Sequence, residues 1–315
     1  MQLKMKLKVT ALLFGTVVLI AQQEVRPRIV GMPHVDFRVH DMEASRHFYK
    51  DFLGYTEPFD IITDGKLIMA FIKINDRQYV ELSPEASPDE PRFVHLALET
   101  DDADALRKYV KSKGYKASDK AAARGRIRNI GTGLEDPDGN KIDVTQYTPD
   151  GESMKDVGKD MPDRRISTHM LHVGFYVSKP ETEHYYKDIL GFREFWRGSA
   201  DDKTASYANL FVPEGIDYVE FILGARPTTP ERYGTVYHIA LEVPNMEAAI
   251  AKLNANPARK DYKREITFKV GKNHRKQCNL FDPDGMRVEL MEDHTVDGMP
   301  APMTTLPMFT PTPRP

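Results

Sequence analysis

His34-Val-Asp-Phe-Arg-Val39, followed closely by Phe48-Tyr-Lys-Asp-Phe-Leu-Gly54, returns later as His172-Val-Gly-Phe-Tyr-Val177 and Tyr185-Tyr-Lys-Asp-Ile-Leu-Gly191. A second phrase repeats in the same order: Asp136-Pro-Asp-Gly-Asn-Lys-Ile-Asp143 is answered by Asp282-Pro-Asp-Gly-Met-Arg-Val-Glu289. Self-similarity of this kind marks a duplicated structural unit. It places one module at residues 30–148 and another at 168–294. Within the first, the apolar periodicity predicts a strand at 34–39, a helix at 43–52, strands near 67–74 and 77–82, a strand at 94–99, a helix at 103–113 and a closing strand at 141–146. Gly114 stands where a helix C-cap needs it, and Asp-Pro-Asp-Gly reads as a turn. Strand, helix and further strands therefore recur twice per module, an α+β arrangement whose sheets need a partner to cover them.

The flanking segments read differently. Lys4, Lys6 and Lys8 precede an apolar run from Ala11 to Ala21 that is too short for a stable membrane span but suits a signal-peptide core. Residues 1–21 are therefore expected to direct export, periplasmic or secreted, with no stable span after processing. Residues 149–167, rich in Asp, Gly, Lys and Pro, predict an exposed linker, and 295–315 a Pro-rich disordered tail. With 315 residues and 40% hydrophobic content the chain can bury one large core or two ordinary ones, and its length favours two domains. Its 44 basic and 47 acidic residues nearly cancel, and no segment interleaves Lys and Arg with aromatics, so no nucleic-acid partner is indicated. Cys278 is the sole cysteine, which excludes an intramolecular disulfide; strand alternation puts it on an interior position. Nothing in the composition separates a monomer from a homodimer.

Alternation along the first strand sends Val35, Phe37 and Val39 to one face and His34, Asp36 and Arg38 to the other. The same split recurs with His172, Gly174 and Tyr176. Following that polar side through the other strands gives His34, Glu81, His95 and Asp143 in the first module, and His172, Glu220, His238 and Glu289 in the second. Any one of these could be an ordinary surface histidine or a solvent-facing carboxylate. Their joint recurrence, imidazole, carboxylate, imidazole, carboxylate at similar separations, points to metal ligands. Nitrogen and carboxylate oxygen donors suit divalent Fe, Mn, Co, Ni or Zn, and the lack of thiolates argues against a structural zinc clasp.

These marks together resemble the vicinal-oxygen-chelate superfamily, which holds glyoxalase I, extradiol dioxygenases and bleomycin resistance proteins, over almost everything from Pro33 to His294. The resemblance implies tandem paired βαβββ units, four in all, curled into cup-shaped mixed sheets flanked by helices, with the metal inside the cup. It implies that His172, His238 and Glu289 are ligands common to much of the group. Glu220, like Glu81, matches the additional carboxylate of glyoxalase-I-like members.

The function so implied is a glyoxalase-like lyase or isomerase acting on a small molecule that chelates the metal through vicinal oxygens, with Glu220 or Glu289 moving a proton. Two alternatives stand beside it: Fe(II) ring-cleaving dioxygenation, and non-catalytic small-molecule binding. A dioxygenase of this group would place a His and then a Tyr on the strand before Asp282. Here His274 lies near the first position, a candidate for proton transfer, and Asn279 stands where the Tyr is expected. Arg124, Arg126 and Arg128 occupy the comparable stretch of the first module, where one could meet an anionic substrate group. Export sits poorly with a glutathione-linked substrate.

Overall fold

The structure is a computed structural model that describes residues 25–201 and 203–309; the expected signal peptide, 1–21, lies outside the described residues. Each module is built from two strand–helix–strands units. The first runs from strand His34–Val39 through helix Met42–Arg46 to strands Thr56–Thr63, Lys66–Lys73 and Tyr79–Pro84. Its helix does not continue as α to residue 52, as the periodicity predicts, but relaxes into a π turn, His47–Phe52, that buries Phe48, Tyr49 and Phe52 on one side. The third unit repeats this, helix Pro180–His184 passing into a π turn at Tyr185–Ile189. The second and fourth units carry longer helices, Ala103–Ser112 and Met246–Ala255, each begun by a side-chain cap from Asp102 or Asn245.

Sheet topology explains why the units come in pairs. Strand His34–Val39 runs parallel to Tyr79–Pro84, the last strand of its own unit, and antiparallel to Phe93–Thr100, the first strand of the next. Phe93–Thr100 in turn runs parallel to Lys141–Gln146. The second module repeats the order with Tyr218–Leu223, Met170–Val177, His238–Glu242 and Arg287–Met291. Each curled sheet thus closes within one module and has at its centre four neighbouring strands, two from each unit. Val35, Phe37, Val39, Val173, Phe175 and Val177 are fully buried in a single core that spans both modules.

The Asp-Pro-Asp-Gly turns lock the modules reciprocally. Asp138, from the first module, accepts from the Ser178 and Lys179 amides and the Thr182 hydroxyl at the start of the third unit's helix. Asp284, from the second, accepts from the His40 amide, and buried Asp282 accepts from the Tyr49 hydroxyl at 3.2 Å.

Burial pushes the Asp282 carboxyl up to about 7 against the donated amides of Met286 and Asp284, which favour its ionised form. A raised acid contributes stability that is complete below its ordinary value and lost as pH rises through its folded one. Asp282→Asn keeps an acceptor for both amides but cannot ionise. The variant should therefore lose less stability than the parent between pH 4 and 8 in paired urea titrations. Parallel profiles would remove Asp282 as a source of the slope.

Two segments differ from expectation. The 149–167 stretch is not a free linker: it holds a short helix, Glu152–Lys155, and wraps the first sheet, with the Ile166 amide donating to Leu53 and Arg165 to the Ile74 carbonyl. Buried Lys73 on strand Lys66–Lys73 fastens it from below. The tail, read from composition as disordered, is placed against edge strand Arg193–Gly198 as far as residue 309. Trp196 Nε1 donates to the Pro302 carbonyl, Thr304 to Arg197, and Ala205 to Pro307. Proline lacks the amide that would invite further strand pairing, so this segment covers an edge without extending it. Among the described residues no helix is long and apolar enough to cross a membrane.

Candidate functional site

Four adjacent central strands supply one polar side chain each to the inside of each cup. In the second module the register places Gly174 opposite both Glu220 and His238, with His172 two residues before it on the same face. The side chains converge. His172 Nε2 lies 3.1 Å from His238 Nε2, 3.7 Å from Glu220 Oε2 and 3.7 Å from Glu289 Oε2. His238 Nε2 is 3.3 Å from Glu220 and 3.5 Å from Glu289. All four residues are buried, and one donor atom of each falls within 4.8 Å of every other.

The remaining nitrogens are occupied outside the cluster. His172 Nδ1 meets the Tyr218 hydroxyl at 2.8 Å, and His238 Nδ1 donates to the Val236 carbonyl at 2.9 Å. Both rings are thereby oriented with Nε2 inward, the outer-shell arrangement that fixes a ligand's tautomer. Burial, with His238 and Arg287 adding repulsion, lowers His172 to about 4, so its imidazole is neutral and its lone pair available. Burial alone would raise Glu289, but Arg287 and the imidazoles hold it at about 2. Glu220 is likewise lowered against burial by His238 and His172.

Buried amide oxygens complete the picture. Asn209, in register with Glu220, and Asn279, in register with Glu289, each carry a side-chain carbonyl with no hydrogen-bond partner. Unpaired buried acceptors beside a convergent N and O donor set fit a bound cation with its oxygen ligands. Tyr218→Phe should leave the fold intact yet weaken second-site metal affinity by about 10- to 100-fold, read by Mn(II) titration, because His172 loses its orienting partner. Unchanged affinity would show that the hydroxyl does not orient the ring.

The first module gathers the equivalent residues more loosely. His34 Nε2 is 3.0 Å from His95 Nε2 and 3.5 Å from Asp143, while His34 Nδ1 lies 3.6 Å from Glu81. His34, Glu81 and His95 form the tight group there; Asp143 reaches it only through His34 and accepts from Thr145 at 3.0 Å. Where the second module has Gly174, this one has Asp36, buried and bonded to Ser83 at 2.8 Å. Burial drives Glu81 well above its usual range, with Asp36 and Asp143 adding repulsion, and raises Asp143 to about 6. Burial lowers His34 and brings His95 to about 4. Glu81, Asp36 and Asp143 crowd together, with Arg38 favouring the charge of Asp36, and a divalent ion would balance them.

Cavities open onto each cluster. The first, about 500 Å³, is walled by Ile61, Met69, Phe71, Tyr79 and Tyr147; the second, about 480 Å³, by Trp196, Tyr207, Lys269, Lys272 and Arg287. His274 is not part of either. It sits half-exposed in a turn at φ 55°, 3.4 Å from Asp297. Arg124 does reach the first cavity but pairs with Asp150 at 2.6 Å, while Arg126 turns to Thr63. Cys278 is buried in the core, its thiol raised to about 11 by burial. Arg287, Tyr218 and Asn209 were not singled out from sequence; Gly174 was placed only on the cleft face, and Asn279 was noted only as standing where a dioxygenase would have Tyr. Arg287 could have been, since it lies two residues from a ligand and so shares its face.

The family described as Glyoxalase/Bleomycin resistance protein/Dioxygenase superfamily matches twice, over residues 31–144 and 171–260. Solved structures share the fold at low identity. The Mn(II)-bound glyoxalase from Novosphingobium aromaticivorans is 18% identical, with TM-score 0.64 over 91% of this chain and 89% of that one. The 2,3-dioxygenase LapB from Pseudomonas sp. KL28 is 16% identical, TM-score 0.64, over 89% and 98%. A homoprotocatechuate 2,3-dioxygenase variant from Brevibacterium fuscum is 16% identical, TM-score 0.66, over 85% and 73%. No curated protein sequence matches the chain.

Proposed function

The chain belongs to the Glyoxalase/Bleomycin resistance protein/Dioxygenase superfamily, and from that premise we propose that its second module is a metal-dependent lyase or isomerase of glyoxalase-like type. Its substrate is a small molecule offering two adjacent oxygens. The observation that carries this reading is the buried His172, Glu220, His238 and Glu289 set with both imidazoles oriented from behind. These four would hold a divalent Fe, Mn, Co, Ni or Zn ion, and His34, Glu81, His95 and Asp143 a second one. When bound, the ion polarises a substrate oxygen and stabilises negative charge developing there.

Proton movement falls to the chain itself. Glu289 has the Arg287 guanidinium beside it and is a weak base held as an anionic anchor. Glu220 is also held below its ordinary value, by His238 and His172 against burial, with the charge of Glu289 beside it opposing them. Facing the cavity, Glu220 is the group we assign to take a proton alpha to a substrate carbonyl. Export, and hence a substrate other than a cytosolic glutathione adduct, is part of the same proposal.

Deuterium exchange at carbon reads this directly. Mn(II)-loaded protein incubated in D2O with a panel of hydroxyketones and ketoaldehydes should wash deuterium into the alpha position of at least one. Glu220→Gln should slow that exchange by about 10²- to 10⁴-fold with metal retained. Fold similarity to dioxygenases and the Tyr207 phenol lining the second cavity favour the competing reading of ring cleavage. Oxygen uptake with catechols and no carbon exchange would decide for it.

A further inference from the structure

The second cavity is lined by Lys269, Lys272 and Arg287 together with the two cluster acids, Glu220 and Glu289. On the reading of that cluster as a metal centre, the two acids are matched by a divalent ion and the three cations remain uncompensated. Neither lysine side chain has an ion-pair or hydrogen-bond partner among the described residues. Arg287 holds an unusual place: its Nη2 lies 2.7 Å from His238 Nε2, while its Nε is buried without a partner. A guanidinium only donates, so this contact uses the His238 lone pair. That is the electron pair a metal would take, and the two contacts exclude one another.

The first module offers the contrast. Lys141, two residues before Asp143 as Arg287 is before Glu289, points outward to Glu135. Arg124 at that cavity is neutralised by Asp150. Among the described residues, the second cup alone combines such a cluster with unpaired lysines.

We infer that the second cup takes a substrate bearing a carboxylate or phosphate group in addition to its chelating oxygens, the anionic group being received by Lys269, Lys272 and Arg287. The Arg287 guanidinium, whose Nε has no partner, already lines the cavity and joins the two lysine ammoniums in receiving that group. Charge-assisted bonds of this kind add affinity and set which of two chelators is preferred.

The test uses two hydroxamates with the same chelating head: acetohydroxamate, and succinyl monohydroxamate, which adds a terminal carboxylate. Calorimetry on the full chain in a His95→Ala background, which disables the first cluster, first measures Mn(II) binding and then each hydroxamate. The carboxylated probe should bind about tenfold or more tightly than acetohydroxamate. Lys269→Gln with Lys272→Gln should cut that preference below about threefold without weakening acetohydroxamate. Arg287→Gln should do the same and also bind Mn(II) about threefold or more tightly, its competitor for His238 being gone. Should Arg287→Gln fail to fold by circular dichroism, the exposed lysine pair decides alone. Equal affinity for both probes on Mn(II)-loaded protein, or a preference untouched by the variants, overturns this inference only. No Mn(II) uptake at all overturns the metal-centre reading and this inference with it.

Discussion

Gly174→Ala is expected to strip the second module of its metal centre while leaving the first in place. A methyl at Gly174 would stand 1.9 Å from His238 Cε1 and 2.4 Å from its Nδ1, well inside any tolerated contact. The ring cannot simply shift, because its Nδ1 is bonded to the Val236 carbonyl and its Nε2 closes the cluster. Either the strands part, at an overpacking cost of about 1–3 kcal/mol, or His238 leaves its place. Both outcomes break ligand geometry, and misplacement by about 1 Å is enough to lower a rate by about 10²-fold. Metal analysis should find the second equivalent lost, with turnover falling accordingly. The first module marks the difference: Asp36 occupies the matching position and its partner His95 is less buried. Full metal content and unchanged turnover in Gly174→Ala would mean that His238 is not a ligand.

The largest effect on stability should come from Lys73→Met. The Lys73 ammonium is wholly buried and bound to the Asp156 carbonyl at 2.6 Å, the Asp156 carboxylate at 2.7 Å and the Lys159 carbonyl at 2.8 Å, with Asp76 at 3.0 Å. Methionine fills similar space but leaves two carboxylates, Asp156 and Asp76, and two carbonyls without this donor. Removing one partner of such a buried set costs about 3–5 kcal/mol, far more than an exposed pair contributes. Urea unfolding should show the loss. Mn(II) binding by the folded remainder should persist, since Lys73 lines neither cup. A change under about 1 kcal/mol would mean that the segment after residue 149 does not depend on this anchor.

The repeat made the fold legible. Period-two alternation assigns faces without any knowledge of partners, so the four donor residues of each cup could be named from the chain alone. His172, Glu220, His238 and Glu289 are brought together as that alternation implies. His274 is not, because it falls in a turn, where alternation no longer fixes direction and φ is positive. The tail misled for a related reason: its composition cannot form a core of its own, but an existing edge strand supplies partners for its carbonyls.

Local sequence therefore determined the duplicated α+β architecture, the polar face of each central strand and the donor chemistry on it. Tertiary structure decided what register and packing alone can set. These include closure of each cup within one module, the reciprocal grip of the Asp-Pro-Asp-Gly turns, the anchoring of 149–167 by Lys73, and the inequality of the two clusters. That inequality turns on Gly174 against Asp36 and on Arg287 against Lys141. The meaning of each residue depends on which side chain lies across the sheet from it, a distance in space that no spacing along the chain records.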